Sequence, residues 1–358
     1  MVSLCVLLCL LGAGPLGPGV PGGKSAATEL DRGQKLLSAG NLEGALSAFE
    51  AAAKLDPKDG RPAYLQGVAL EKKNDRIGAE KAYRQSLTLD GKLAPAHNNL
   101  GALLLGTDDL SGAEKEFLAA VSGDPKSAGA QFNLGLLRDR QQKPADAASA
   151  YRKAVALKPN DATYRMNLSS SLRKSGDLDG ALGEAKQAAM LAPKDVVAAT
   201  NLGLLLSDKQ RFEEANAALV KATQLDPKFA PAWVGLGRVE MRSKNMAGAV
   251  EALSKAVALS PKDGKIAADL CRAQVEKDLA SKVALDTCQK ASKLDGENAL
   301  AHYELMKILS AKGDCAGAKG ELAKFQALPG LKPEAKAKAA EITKTCVSGK
   351  PAKIGKMN

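Results

Sequence analysis

Two kinds of amphipathic stretch alternate along most of this chain. Each carries apolar residues at i, i+3, i+4 and i+7, the spacing that gives a helix one apolar face. Pro62–Lys73 and Arg76–Leu89 form one such pair. Between Ala26 and Asp263 the pair returns every 34 residues, seven times over, without insertion. Fixed columns mark the period. One reads Gly33, Gly67, Gly101, Gly135, Ser169, Gly203, Gly237, mid-way along each first helix. A second reads Ala45, Ala79, Ala113, Ala147, Ala181, Ala215, Ala249, near the start of each second helix. A third reads Ala52, Ser86, Ala120, Ala154, Ala188, Ala222, Ala256. The last reads Pro57, Gly91, Pro125, Pro159, Pro193, Pro227, Pro261.

Each column has a physical cause. Glycine inside a helix costs about 1 kcal/mol against alanine, so its recurrence requires a close helix approach, as dense interiors demand. Larger residues recur between the small ones: Leu100, Leu134, Leu168, Leu202 and Leu236, then Phe49, Tyr83, Phe117 and Tyr151. Proline in the last column ends the second helix because it cannot continue the i→i−4 ladder. A period of this length with these columns predicts an α-solenoid of stacked helix–turn–helix units.

The columns resemble those of the tetratricopeptide repeat (TPR). Ala230–Asp263 has Trp233, Leu236, Gly237, Ala249, Ala256 and Pro261 at the family's hallmark places. The resemblance covers roughly 26 to 332, with departures at Gly91, at Ser169, and at Ala185, Leu219 and Leu253 in the aromatic column. It implies an all-α, right-handed superhelix of about nine repeats, starting near 26, 60, 94, 128, 162, 196, 230, 264 and 299.

The remaining stretches complete the layout. Gly264–Asn298 has one extra residue, which moves Ala284, Cys288, Ala291 and Gly296 one place on. Leu305, Leu309, Ala318 and Leu322 keep register in a ninth unit, with Gly330 as its breaker. A polar helix over 333–346 is expected as the cap that a solenoid end needs, and Val347–Asn358 as a basic disordered tail. At the front, Val2 to Leu11 is an apolar run followed by Gly12–Gly23. It falls short of the ~18 residues that span a bilayer. It suits a secretory signal, with Ser25-Ala26-Ala27 as a small-residue cleavage site, although no Lys or Arg precedes the run. Leu8 before Cys9 is too bulky for a lipoprotein signal. Export to a periplasmic or envelope location is the expectation, with a cytoplasmic protein as its alternative; the Ala-, Gly- and Leu-rich style suits a GC-rich bacterium.

Charge and chemistry narrow the function. The net charge is +11 and uneven, with seven Lys and two Glu between Leu331 and Asn358, and 3% of residues are aromatic. No basic stripe with interleaved aromatics is visible, so nucleic-acid binding is not expected. His97 and His302, the two histidines, lie six repeats apart in the slot of Trp233 and read as packing residues. With no metal motif and no phosphate loop, neither a metal, a cofactor nor an enzymatic activity is expected. Four cysteines follow the leader. Cys271 takes the glycine slot and Cys288 the aromatic slot of one unit, which face each other across a helix pair; Cys315 and Cys346 meet at a common edge one layer on. Two disulfides, Cys271–Cys288 and Cys315–Cys346, are therefore expected, as in an oxidising compartment.

The function expected is a non-catalytic scaffold that holds a protein or extended peptide in a concave groove lined by the first helices. Its rival is an envelope assembly factor that works through convex or end surfaces. Asn99, Asn133, Asn167 and Asn201 recur at the repeat spacing, one place off the buried stripe, where an amide can donate and accept together. They resemble the asparagine ladder of nucleocytoplasmic sugar transferases. Tyr64, Phe132, Met166, Arg173, Arg238 and Arg272 flank them, and the cations suggest an acidic segment. The carboxylate clamp of chaperone-binding repeats wants Asn where this chain has Ala102, Leu136, Ser170 and Leu204, so chaperone-tail binding is not expected.

Overall fold

Every turn inside a repeat solves the same problem, that of stopping one helix and starting another within a few residues. In eight repeats, all but the eighth along the chain, a left-handed backbone position does the stopping. It is Gly40, Gly176 and Gly313 in three repeats, and Asn74, Asp108, Gln142, Gln210 and Lys244 in five others. An Asp or Asn next in line then caps the second helix. Asn41, Asp75, Asp109, Asp177, Asn245 and Asp314 each accept from the backbone N–H of a glycine three residues on. Such a cap contributes about 1 kcal/mol. A Cβ on those glycines would lie 2.3 to 2.9 Å from the capping side chain, so cap and glycine occur together. Arg211 stands where a cap would be, and it pairs instead with Glu214 at the glycine's place, 2.6 Å away.

A computed structural model describes residues 25–347. The apolar leader and all but Val347 of the basic tail lie outside the described residues. Among those described, all regular structure is helical. The chain divides into two compact units, Met1–Glu184 and Ala185–Asn358. The first holds α1 (Ala26–Ser38), α2 (Leu42–Leu55), α3 (Arg61–Lys72), α4 (Arg76–Leu89), α5 (Ala94–Gly106), α6 (Leu110–Gly123), α7 (Ala128–Arg140), α8 (Pro144–Leu157) and α9 (Ala162–Lys174), and the boundary falls inside α10 (Leu178–Leu191). The second holds α11 (Val196–Asp208), α12 (Phe212–Leu225), α13 (Ala230–Arg242), α14 (Met246–Leu259), α15 (Gly264–Lys277), α16 (Lys282–Leu294), α17 (Ala299–Ala311), α18 (Cys315–Ala327) and α19 (Pro333–Lys344).

Within each unit consecutive helices pack in pairs, and successive first helices such as α5 and α7, or α13 and α15, also touch. The small columns are the packing surface: Ala45, Ala79, Ala113, Ala147 and Ala249 are fully buried. A Cβ on Gly67 would stand 2.4 Å from the Tyr83 ring, and one on Gly237 would stand 2.5 Å from Leu253. The slot shared by His97, Arg165, Trp233 and His302 has a different task. In each case a side-chain nitrogen meets the carbonyl six residues earlier, at Gly91, Pro159, Pro227 and Gly296, over 2.8 to 3.1 Å. Three chemically different residues thus tie these four first helices to the turns that precede them.

In the eighth repeat α15 has 14 residues where α13 has 13, the connection after it is longer, and α16 has 13 residues where α14 has 14. The cap helix is shorter than expected: α19 ends at Lys344 and Cys346 follows it. Ala339 of α19 is fully buried against Met306, Ala318 and Phe325.

Candidate functional site

Asn99, Asn133 and Asn167 lie on α5, α7 and α9 of the first unit, all half-buried. Asn201 lies on α11 of the second, so the row expected from spacing is divided three to one between the units. Two of the three are linked across repeats by a residue that the spacing did not single out. Asn133 Nδ2 donates to Asn98 Oδ1 over 2.9 Å, and Asn98 Nδ2 donates to Asn99 Oδ1 over 3.2 Å. Asn167 instead donates to the Thr163 carbonyl of its own helix, at 2.8 Å.

The amide row is anchored from below. Asn99 Nδ2 donates to the Tyr83 hydroxyl over 3.2 Å, and that hydroxyl donates to Glu71. Burial raises the Glu71 carboxyl, with the Tyr83 hydrogen bond and the Arg76 charge pulling it back down. Burial and Glu71 together push the Tyr83 hydroxyl far above the ordinary tyrosine range. A second pair, Tyr151 and Asp139 at 3.1 Å, fills the equivalent places two repeats on. Asp139 also accepts from Ser171 and Lys174, each at 3.0 Å.

Around the row, four slots of each first helix carry no charge in repeats three to five, while Arg173 stands three residues beyond the last of them in repeat five. Pro95, Asn98, Asn99 and Ala102 are followed by Gly129, Phe132, Asn133 and Leu136, then by Thr163, Met166, Asn167 and Ser170. Phe132 is half-buried, stacked on Tyr164 at 4.7 Å and tilted against Tyr151 at 5.5 Å. Met166 is half-buried. Tyr64 differs from expectation: it is 7% exposed and packs on Tyr83 at 5.9 Å. It supports the face from beneath and offers little surface of its own.

The cations also differ from the sequence-based picture. Arg173 is exposed in the first unit. In the second, Arg238 places Nη2 2.6 Å from Asp269, and Arg272 Nε lies 2.8 Å from Glu276. Lys307, next in that column, lies 2.7 Å from Glu304. Asp269 and Glu304 are 9% and 3% exposed, and burial raises both carboxyls despite these cations. An acidic ligand at Arg238 or Arg272 therefore competes with a carboxylate already in place.

Both cysteine pairs are bonded. Cys271–Cys288 joins α15 to α16 with Cα atoms 5.0 Å apart, and Cys315–Cys346 joins α18 to the residues after α19 with Cα atoms 5.6 Å apart. The first pair is fully enclosed beside Val275, Leu305 and Ile308, whereas the second is half-buried. Among the described residues, no group of three or more His, Cys, Asp or Glu could hold a metal ion. None of the described helices is long and apolar enough to cross a membrane.

Helix pairs with small-residue seams, a carbonyl-tying slot and a first-helix face define a repeat scaffold. The sequence model of the tetratricopeptide repeat matches residues 30–96, 98–162, 132–196 and 200–264, and the chain belongs to that family. Proteins of this kind are generally non-catalytic scaffolds for protein–protein interaction. No functionally curated protein matches the chain. Among solved structures, Pseudomonas aeruginosa PilF is 20% identical with a TM-score of 0.53, covering 58% of this chain and 94% of its own. A chain of the APC/C Cut9–Hcn1 hetero-tetramer is 17% identical with a TM-score of 0.55, covering 79% of this chain and 55% of its own. YrrB, a TPR protein with an unusual peptide-binding site, is 25% identical with a TM-score of 0.48, covering 52% of this chain and 95% of its own. The PilF and Cut9–Hcn1 likenesses establish the fold alone.

Proposed function

We propose that the chain is a non-catalytic scaffold that holds an extended, uncharged peptide segment of a partner protein on the first-helix face of its first unit. The carrying observation is a charge-free run of inward slots around Asn98, Asn99 and Asn133, in a protein whose residues are 25% charged. Amides can donate and accept at once, which suits main-chain recognition without side-chain selectivity. Phe132 and Met166 supply apolar contact beside them. Charged segments would lose hydration there without gaining a partner. The acidic preference expected from Arg173, Arg238 and Arg272 is not carried into this reading, because Arg238 and Arg272 each already hold a carboxylate.

The oxidised cysteine pairs, with the apolar run Val2 to Leu11, support a periplasmic or envelope location. The test of binding uses the full chain to select from a phage-displayed library of random twelve-residue peptides. Enriched peptides should carry a run of uncharged residues. Each of Asn99→Ala, Asn133→Ala and Asn167→Ala should weaken a selected peptide by about fivefold, near 1 kcal/mol for one hydrogen bond. Together they should weaken it by roughly a hundredfold, with Asn201→Ala silent. Selection of charged peptides, or full binding by the triple variant, overturns the reading.

A further inference from the structure

We propose that Tyr83 and Glu71 are positioning residues that fix the donor–acceptor direction of the amide row, and so the direction in which a bound peptide runs. This rests on the peptide-binding reading above.

The chemistry forces the direction. An ionised carboxylate only accepts, so the Tyr83 hydroxyl must spend its proton on Glu71. Its oxygen is then left to accept, and the group that Asn99 presents to it must be the NH2 end, 3.2 Å away. That turns Asn99 Oδ1 towards Asn98, which must answer with its own NH2. Asn98 Oδ1 is then left for Asn133 Nδ2. One carboxylate on α3 thereby orients amides on α5 and α7. Asn98 and Asn99 each retain one N–H and acceptor capacity for a ligand. Because the amides are held in one orientation, only one strand direction of an extended main chain matches donors to acceptors.

A comparison within the first unit shows that the pair is not needed for packing. Phe49 and Phe117 fill the Tyr83 slot in neighbouring repeats, equally buried at 0% exposure. In those same repeats Leu37 and Leu105 fill the Glu71 slot, at 5% exposure each. Hydroxyl and carboxylate are thus present together or absent together. Tyr151 with Asp139 supplies an internal control: Asp139 is shared with Ser171 and Lys174, and the Tyr151 hydroxyl donates to Asp139 without the onward link to an amide that Tyr83 has.

The experiment uses the full chain with 15N-labelled asparagine. Wild type should show exchange-protected side-chain NH2 signals for Asn98, Asn99 and Asn133. Tyr83→Phe, whose packing Phe49 and Phe117 already demonstrate, should lose protection at all three, while Tyr151→Phe should change none. A peptide taken from the phage selection, and the same peptide with its sequence reversed, are then titrated by fluorescence polarisation. Wild type and Tyr151→Phe should prefer one direction by about tenfold, on the scale of a hydrogen bond or two, and Tyr83→Phe should bind the two within about threefold. Unchanged protection and an unchanged direction ratio in Tyr83→Phe overturn the positioning role. If Asn99→Ala binds the peptide normally, the binding reading fails instead, and the NH2 signals still decide whether Tyr83 orients the row.

Discussion

The two units fill the same pair of facing slots with different chemistry. In the first unit a glycine meets a ring: Gly33 and Phe49, Gly67 and Tyr83, Gly101 and Phe117, Gly135 and Tyr151. In the second a glycine meets a branched side chain, as in Gly203 with Leu219 and Gly237 with Leu253. In its eighth repeat both slots hold sulfur, and Cys271 is bonded to Cys288. A thin residue can therefore face a thick one without a ring, and in the fifth repeat both slots are small, Ser169 and Ala185. Each solution has its own consequence. The ring admits a hydroxyl that reaches Glu71 and the amide row. Leucine supplies packing alone, and the disulfide closes the pair covalently where no thick residue is present. The inward faces differ accordingly. In the same four first-helix slots, repeats three to five are amide-rich and uncharged, while repeats seven to nine carry Arg238, Arg272 and Lys307, each ion-paired.

Breaking the covalent solution should have the largest effect. Cys271→Ala with Cys288→Ala removes a loop closure over 17 residues, worth about 3 kcal/mol in the chain-entropy model. It also leaves space in a fully buried site beside Val275, Leu305 and Ile308. Thermal melting by circular dichroism should show the loss. Cys271→Gly with Cys288→Leu copies Gly237 and Leu253, and should recover part of it without any covalent bond. No recovery would mean that the slots of the eighth repeat are not equivalent to those of the seventh. The half-buried Cys315–Cys346 bridge should yield to dithiothreitol before the enclosed one. Alkylation followed by peptide mass mapping reads that order, and unreduced protein should show no free thiol at Cys271, Cys288, Cys315 or Cys346 when denatured.

A smaller effect should come from the thin side of the pair. In Gly135→Ala the new Cβ would lie 2.5 Å from the fully buried Tyr151 ring. Overpacking of that kind costs about 1–3 kcal/mol, more than the ~1 kcal/mol of helix propensity gained. Gly320→Ala on α18 meets nothing within 4 Å and should stabilise by up to about 1 kcal/mol. Urea titration of the two variants gives the comparison directly, and equal signs would remove steric fit as the reason for the glycine column.

Much of this layout is legible in the sequence because a repeat prints each structural rule several times. The columns give helix pairs, register and the thin and thick slots. Once Cys271 and Cys288 are seen to occupy those slots, their pairing follows. What escaped was fixed by side-chain paths across repeats. Arg238 is visible as a cation in the chain, but its partner Asp269 lies 31 residues on, and only packing brings them to 2.6 Å. Tyr64 has the spacing of a surface residue, yet its ring packs against Tyr83. The coupling of Tyr83 to Glu71 is written as Tyr with Glu against Phe with Leu, a covariation within four repeats that periodicity of hydrophobicity does not register. The capping glycines Gly44, Gly78, Gly112, Gly248 and Gly317 repeat just as regularly, but their cause is local backbone capping and they belong to no packing stripe.

The smallest expected effect concerns two ways of holding a carboxylate, and its signs are opposite. In the second unit burial raises Asp269 and Glu304, with Arg238 and Lys307 compensating only in part. In the first unit burial likewise raises Asp59, but hydrogen bonds from the Arg61 side chain and backbone, with its charge, outweigh burial and leave the carboxyl below its ordinary value. An acid whose folded pKa is raised costs nothing below its unfolded pKa, where both states are protonated. It then lowers stability as pH climbs through the folded value. An acid whose folded pKa is depressed contributes stability above its unfolded pKa, and loses it as pH falls through the folded value. Unfolded carboxyls titrate near about 4, so melting between about pH 3 and pH 7 spans both windows. Asp269→Asn with Glu304→Gln should gain stability relative to wild type as pH rises, and Asp59→Asn should lose it. The Asp59→Asn change should stay within about 1 kcal/mol, the scale of a single partly exposed pair. Curves that shift in the same direction for both variants would show that these carboxylates are not held in opposite ways.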